Sequence, residues 1–128
     1  MGPLGRAALV ALLVAAGCGS QAAAPAEPRY DLTITFWPTG RGGEPRSATL
    51  TCEPAGGTHP DPAKACEALL AHMDALDPVP PGVACTQVYG GAQVASISGS
   101  GLDATFSRTN GCGIGRWDAL APVLEIGD

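Results

Sequence analysis

Cysteines, histidines and glycine-rich turns are where this sequence could do chemistry. Five cysteines, Cys18, Cys52, Cys66, Cys85 and Cys112, supply sulfur able to bridge, bind metal or carry a modification. His59 and His72 are the only imidazoles available for proton transfer near neutral pH. Neither belongs to a His-Glu-x-x-His motif or another paired ligand pattern, so each is read as structural or exposed: His59 in the loop before a helix cap, His72 on a solvated helix side. No Gly-x-Ser-x-Gly elbow presents a serine nucleophile, and SGSG at 98–101 reads as a hairpin turn. TGRGGE at 39–44 lacks the Gly-Lys-Ser/Thr ending of a phosphate loop, and GCGIG at 111–115 lacks dinucleotide-loop spacing. No Cys-x2-Cys pair occurs, which argues against a zinc site. The expectation is a protein without catalytic residues, metal or cofactor.

The cysteines instead point to export. Arg6 is the only charged residue among the first 26, and an apolar run from Ala7 to Ala16 follows it. That pattern predicts a secretory signal peptide over 1–17, too short to span a bilayer, which takes about 20 residues. Ala15-Ala16-Gly17-Cys18 resembles a bacterial lipoprotein lipobox, which implies cleavage before Cys18 and a diacylglyceryl group on its sulfur. Two acyl chains anchor stably where one is marginal. Four cysteines then remain in an exported chain, predicting two disulfides. Three pairings are open; Cys52 with Cys66 and Cys85 with Cys112 close the shorter, non-nested loops and are favoured.

The chain has 128 residues, enough for one domain, and a formal charge of −5. Loss of residues 1–17 removes one arginine, leaving six basic against twelve acidic residues and a charge of −6. With no basic stripe, nucleic acid is not an expected partner, and the lipid is the only expected membrane contact. Residues 18–29, CGSQAAAPAEPR, read as a flexible tether carrying the lipid.

Periodicity supplies the elements that must position anything further out. Tyr30, Leu32, Ile34 and Phe36 alternate with polar residues, and Ala48, Leu50 and Cys52 share one face of a second strand. Asp61-Pro62 opens a helix, with Cys66, Leu69, Leu70 and Met73 on its buried side. The prolines of 77–84 predict an extended loop into Cys85. Strands at 92–98 and 102–109 flank a turn at Gly99–Gly101, residues 115–121 suggest a short helix, and PVLEI at 122–126 a last strand. The architecture expected is α+β: about five antiparallel strands with one or two helices on one face.

Three stretches carry a family resemblance: ATLTCEPAGGTHPDPAKACEAL at 48–69, CTQVY at 85–89 and NGC at 110–112. They resemble the bacterial subtilisin-inhibitor-like family of small secreted actinomycete proteins, over about residues 30–126. The resemblance implies a five-stranded antiparallel sheet covered by two helices, and the same two disulfides. It also implies competitive inhibition of a subtilisin-like serine protease by a domain at 30–128. The reactive loop would be Cys85 (P3), Thr86 (P2), Gln87 (P1), Val88 (P1′) and Tyr89 (P2′), with Gln87–Val88 as the reactive bond and Asn110 supporting the loop by hydrogen bonding. A homodimer through the sheet is a further implied partner, although the strands show no clear exposed apolar stripe. Two departures bear on the loop. Gln87 is neutral where the family usually has methionine, lysine or arginine. Gly90-Gly91 stand where proline is common, and are expected to loosen the loop's downstream side. The alternative is a lipid-anchored, non-inhibitory binding module of the cell envelope with the same fold.

Overall fold

A computed structural model describes residues 27–127. The expected signal peptide, Cys18 and most of the expected tether lie outside these residues. The chain forms β1 (Tyr30–Trp37), β2 (Arg46–Cys52), α1 (Pro62–Ala71), a 3-10 turn (Met73–Leu76), β3 (Val94–Gly99), β4 (Leu102–Ser107) and α2 (Gly111–Leu124). The four strands make one antiparallel sheet in the order β2-β1-β3-β4.

Alternation in the strands sets the two faces of the sheet. Leu32, Ile34, Phe36, Ala48, Leu50, Cys52, Ala95, Ile97, Ala104 and Phe106 are buried on the face that α1 and α2 cover. Their partners in register on the opposite face are mostly short hydroxyl residues: Thr33 beside Thr49 and Ser98, Thr35 beside Ser47 and Ser96. The residues of that face are exposed or half-buried, as an antiparallel sheet with one free face allows. The expected alternation at 92–98 begins two residues later, at Val94. In the turn after β3, Ser100 and Gly101 both have positive φ, as a two-residue hairpin requires. Gly99 must be glycine, because a β-carbon there would collide with the Asp31 carbonyl of β1.

Helix α1 starts as its sequence predicts. Asp61 caps it by accepting from the Lys64 backbone N–H at 3.2 Å, and Pro62 takes the first position, where its missing N–H costs no bond. Ala65, Cys66 and Leu69 are buried, but Leu70 stays 39 % exposed and Met73 lies past the helix end. The apolar face is therefore narrower than expected. Cys66 is bonded to Cys52 at the end of β2, and Cys85 to Cys112 in the first turn of α2. Closing loops of 14 and 27 residues stabilises the fold by on the order of 3 to 4 kcal/mol each in the chain-entropy account.

The sheet has four strands, not five, and the difference lies at the C-terminus. The predicted short helix at 115–121 begins at Gly111, and Pro122–Leu124 are its last turn. PVLEI is a short, largely apolar run that a strand would accept, but Leu120, Val123 and Leu124 continue the period begun by Trp117, and all four are buried. Burial against the sheet outweighs the bond that Pro122 denies the helix. His59 is structural: 5 % exposed, its Nε2 lies 3.0 Å from the Val123 carbonyl and its Nδ1 accepts from the Asp61 N–H. It pins the cap of α1 to the last turn of α2. His72 is exposed, as expected.

Candidate functional site

Between the 3-10 turn and β3 the chain runs without helix or strand, and its middle stands clear of the body. Cys85 is half-buried, Thr86 to Tyr89 are all exposed, and Gly90 returns to the surface of the domain. Val88 and Tyr89 are 57 % and 67 % exposed, among the most exposed large apolar residues described. Four consecutive side chains are thus offered outward from a segment whose ends are fixed.

The upstream end is fixed by α2. Cys85 is bonded to Cys112, and the Thr86 carbonyl accepts from the Gly111 N–H at 2.8 Å. Gly111 is the first residue of α2, so its N–H has no partner inside the helix and is free to hold the loop. The approach is close enough that a β-carbon on Gly111 would collide with the Thr86 side chain. Asn110 is the N-cap of this helix: its side chain accepts from the Gly113 N–H at 2.9 Å. The loop hydrogen bond expected of Asn110 comes instead from the next residue's backbone, while Asn110 sets the helix start that aims it.

Arg108, which the sequence reading did not single out, fixes the downstream end. Its carbonyl accepts from the Gly90 N–H at 2.7 Å and its Nε donates to the Gly90 carbonyl at 3.2 Å. The guanidinium is held in turn: Nη1 lies 2.8 Å from Asp118 Oδ1, and the group sits 5.9 Å from the centroid of the buried Trp117 ring. Gly90 also packs on Ile114, where a β-carbon would come within 2.8 Å of the side chain. Gly91, at φ +126°, occupies a conformation that side chains disfavour. The glycine pair does not leave the downstream side loose; it permits the close approach through which Arg108 and Ile114 hold it. Nothing in the local sequence signals this, because Arg108 meets Gly90 only once β4 and the loop lie side by side.

Inside the loop, the Gln87 Nε2 donates to the Cys85 carbonyl at 3.1 Å, laying the side chain along its own backbone. Upstream, Arg116 of α2 supports the approach to the loop. It donates to the carbonyls of Ala75, Leu76 and Thr105 and lies 4.6 Å from the Phe106 ring centroid. Burial lowers its pKa, which nearby Asp77 partly offsets. Of the expected site residues, the structure gathers Cys85 to Tyr89, Asn110 and Cys112 at one end of the sheet. The Cys52–Cys66 bridge belongs to the α1–β2 contact instead, and Cys18 lies outside the described residues.

A cysteine-stapled loop thus stands out from a body of one sheet and two helices. The subtilisin inhibitor-like family model matches residues 26–109, and the chain belongs to that family. The family is one of protease inhibitors, and the chain is not an enzyme. The match takes in Cys85 through Arg108 and stops before Cys112. Among solved structures, the chain is similar to Streptomyces caespitosus sermetstatin, crystallised in complex with Bacillus licheniformis subtilisin. The identity is 26 %, over 75 % of this chain and 97 % of that one, with a TM-score of 0.45. A comparison with curated proteins returns no match.

Proposed function

We propose that the chain inhibits a subtilisin-like serine protease by laying residues 85–89 into the active-site cleft as a substrate would, with Gln87 in the primary specificity pocket. The observation that carries this reading is a loop exposed from Thr86 to Tyr89 and anchored on both sides, at Thr86 and at Gly90. A free peptide loses roughly 0.5 to 1.5 kcal/mol for each side chain it immobilises on binding, besides its backbone ordering. A loop held in place beforehand avoids much of that loss. Interfaces of this kind are of ordinary size, about 1,600 Å2, yet can be very tight because both surfaces are preformed.

Attack by the protease serine on the Gln87 carbonyl transfers the Gln87 acyl group to the serine oxygen, and the Val88 nitrogen takes up the proton. In a peptide the new amine diffuses away and water releases the acid. Here both new ends stay attached to one body. The Val88 amine can attack the ester, expel the serine oxygen and return the proton, which restores the intact inhibitor. Gln87 must first leave the Cys85 carbonyl, an exposed bond worth about 1 kcal/mol. Its unbranched, uncharged stem suits a broad pocket and lacks the cation a trypsin-like pocket pairs with.

Export with a lipid on Cys18 is part of the same proposal, placing the inhibitor on the outer face of the membrane or in the cell envelope. The deciding experiment is a subtilisin inhibition assay on residues 27–128, which contain the whole core and both disulfides, with mass spectrometry of the complex. Inhibition with a slow single nick after Gln87 is expected. No inhibition at micromolar protein, or rapid digestion starting elsewhere, would favour the non-inhibitory binding module.

A further inference from the structure

The two sides of the Gln87–Val88 bond are held by unlike means. Upstream, the Cys85–Cys112 disulfide lies two residues from Gln87, so the acyl fragment stays covalently tied to α2 after a cut. Downstream, no disulfide lies between Val88 and the start of β3 at Val94. The loop hydrogen bonds there are the two at Gly90, and both go to Arg108.

We propose that Arg108 is the positioning residue that decides whether the cut bond is re-formed or hydrolysed. This rests on the inhibitory reading above. Re-formation needs the Val88 amine within attacking distance of the ester carbon, and Val88 lies two residues from Gly90. Holding Gly90 by both its N–H and its carbonyl keeps the amine nearby and raises its effective concentration far above that of a free chain end. The side chain is suited to this by being immobile. Nε faces Gly90, Nη1 faces Asp118, and the plane lies near the Trp117 ring, so one rotamer serves three contacts. Lysine, with one compact ammonium and no fork, cannot reach Gly90 and Asp118 in the same way. Asp118 acts one step behind: exposed itself, it orients the guanidinium without touching the loop.

The test compares the unaltered protein with Arg108→Lys, Arg108→Met and Asp118→Asn. Three quantities are read with subtilisin: initial inhibition, the rate of nicking at Gln87–Val88, and the rate at which nicked protein is resealed by catalytic protease. Losing one hydrogen bond to a charged group predicts nicking faster by about tenfold or more in Arg108→Met. Resealing should slow correspondingly, and initial inhibition should fall less than the lifetime of the complex. Arg108→Lys should behave like Arg108→Met despite its charge, and Asp118→Asn should lie between them and the parent. Amide exchange in the free proteins controls for folding: faster exchange at Gly90 with unchanged exchange in β1 and β3 is expected. Unaltered nicking and resealing in Arg108→Met, with inhibition intact in the parent, would overturn the role of Arg108 and leave the proposed function standing. Failure of the parent to inhibit would overturn both.

Discussion

Gln87 and Gly111 separate two things a reactive loop needs, a side chain that fits and a backbone that waits. Gln87 is exposed and hydrogen-bonds within its own loop, to the Cys85 carbonyl. Gln87→Lys should therefore create trypsin inhibition and Gln87→Met should tighten subtilisin binding, both with melting temperatures within a degree or two of the parent. If neither change alters any protease, the loop is not the contact surface. Gly111 is the converse case. In Gly111→Ala the added methyl collides with Thr86, so the loop must shift and its hydrogen bond stretch. The expected loss is about 1 to 3 kcal/mol of stability, in the range of a small overpacking change, with a larger proportional loss of inhibition. Thermal melts and inhibition constants measured side by side check this. The sequence reading singled out Gln87 through the family resemblance, which places the offered bond two residues beyond the cysteine that matches Cys85. It did not find Gly111 or Arg108, whose roles depend on which strand end faces which helix start. It misjudged Gly90 for the same reason, since a glycine that bends freely and a glycine that admits a neighbour look alike in one dimension.

The two disulfides hold different elements, and each should fail in its own way. Cys52–Cys66 joins α1 to β2, where both sulfurs are buried among Leu50, Leu69 and the rest of the core. Replacing both cysteines by alanine should cost roughly 3 kcal/mol while folded protein still inhibits. Removing Cys85 and Cys112 the same way should cost a similar amount but turn the protein into a substrate cut after Gln87. A denaturant titration with a protease time course distinguishes the outcomes; equal loss of inhibition in both variants would contradict the division. Much of this level was legible beforehand. Asp61-Pro62 announced α1, alternation announced β1 and β2, and loop lengths favoured the pairing now seen. The C-terminal error is physical in origin. A five-residue, largely apolar run suits a strand as well as a helix end, and the choice is made by Trp117 and Leu120, which bind the segment to the helical period.

At the scale of the whole molecule, the described domain carries its apolar residues on one face of the sheet, under the two helices. The outer face of the sheet is lined mostly by hydroxyl residues, Thr33, Thr35, Ser47, Thr49, Ser96 and Ser98. In the proposed reading, the lipid on Cys18 is what holds the protein to the membrane. Cys18→Ser should therefore release the protein into the medium, and retention on washed membranes would count against the lipid. The separation between the tether and the loop follows from β1. The described chain enters the sheet at Tyr30, beside Cys52, whereas the loop runs into β3 at Val94, which pairs with Trp37 at the other end of β1. Eight residues of strand separate those ends by roughly 25 Å. A leash at residue 29 and a bait beyond residue 85 thus sit at opposite poles of one rigid rod. On the proposed lipid reading the tether joins the domain at the pole opposite the loop, so the attachment itself leaves the loop unobstructed for an enzyme to reach.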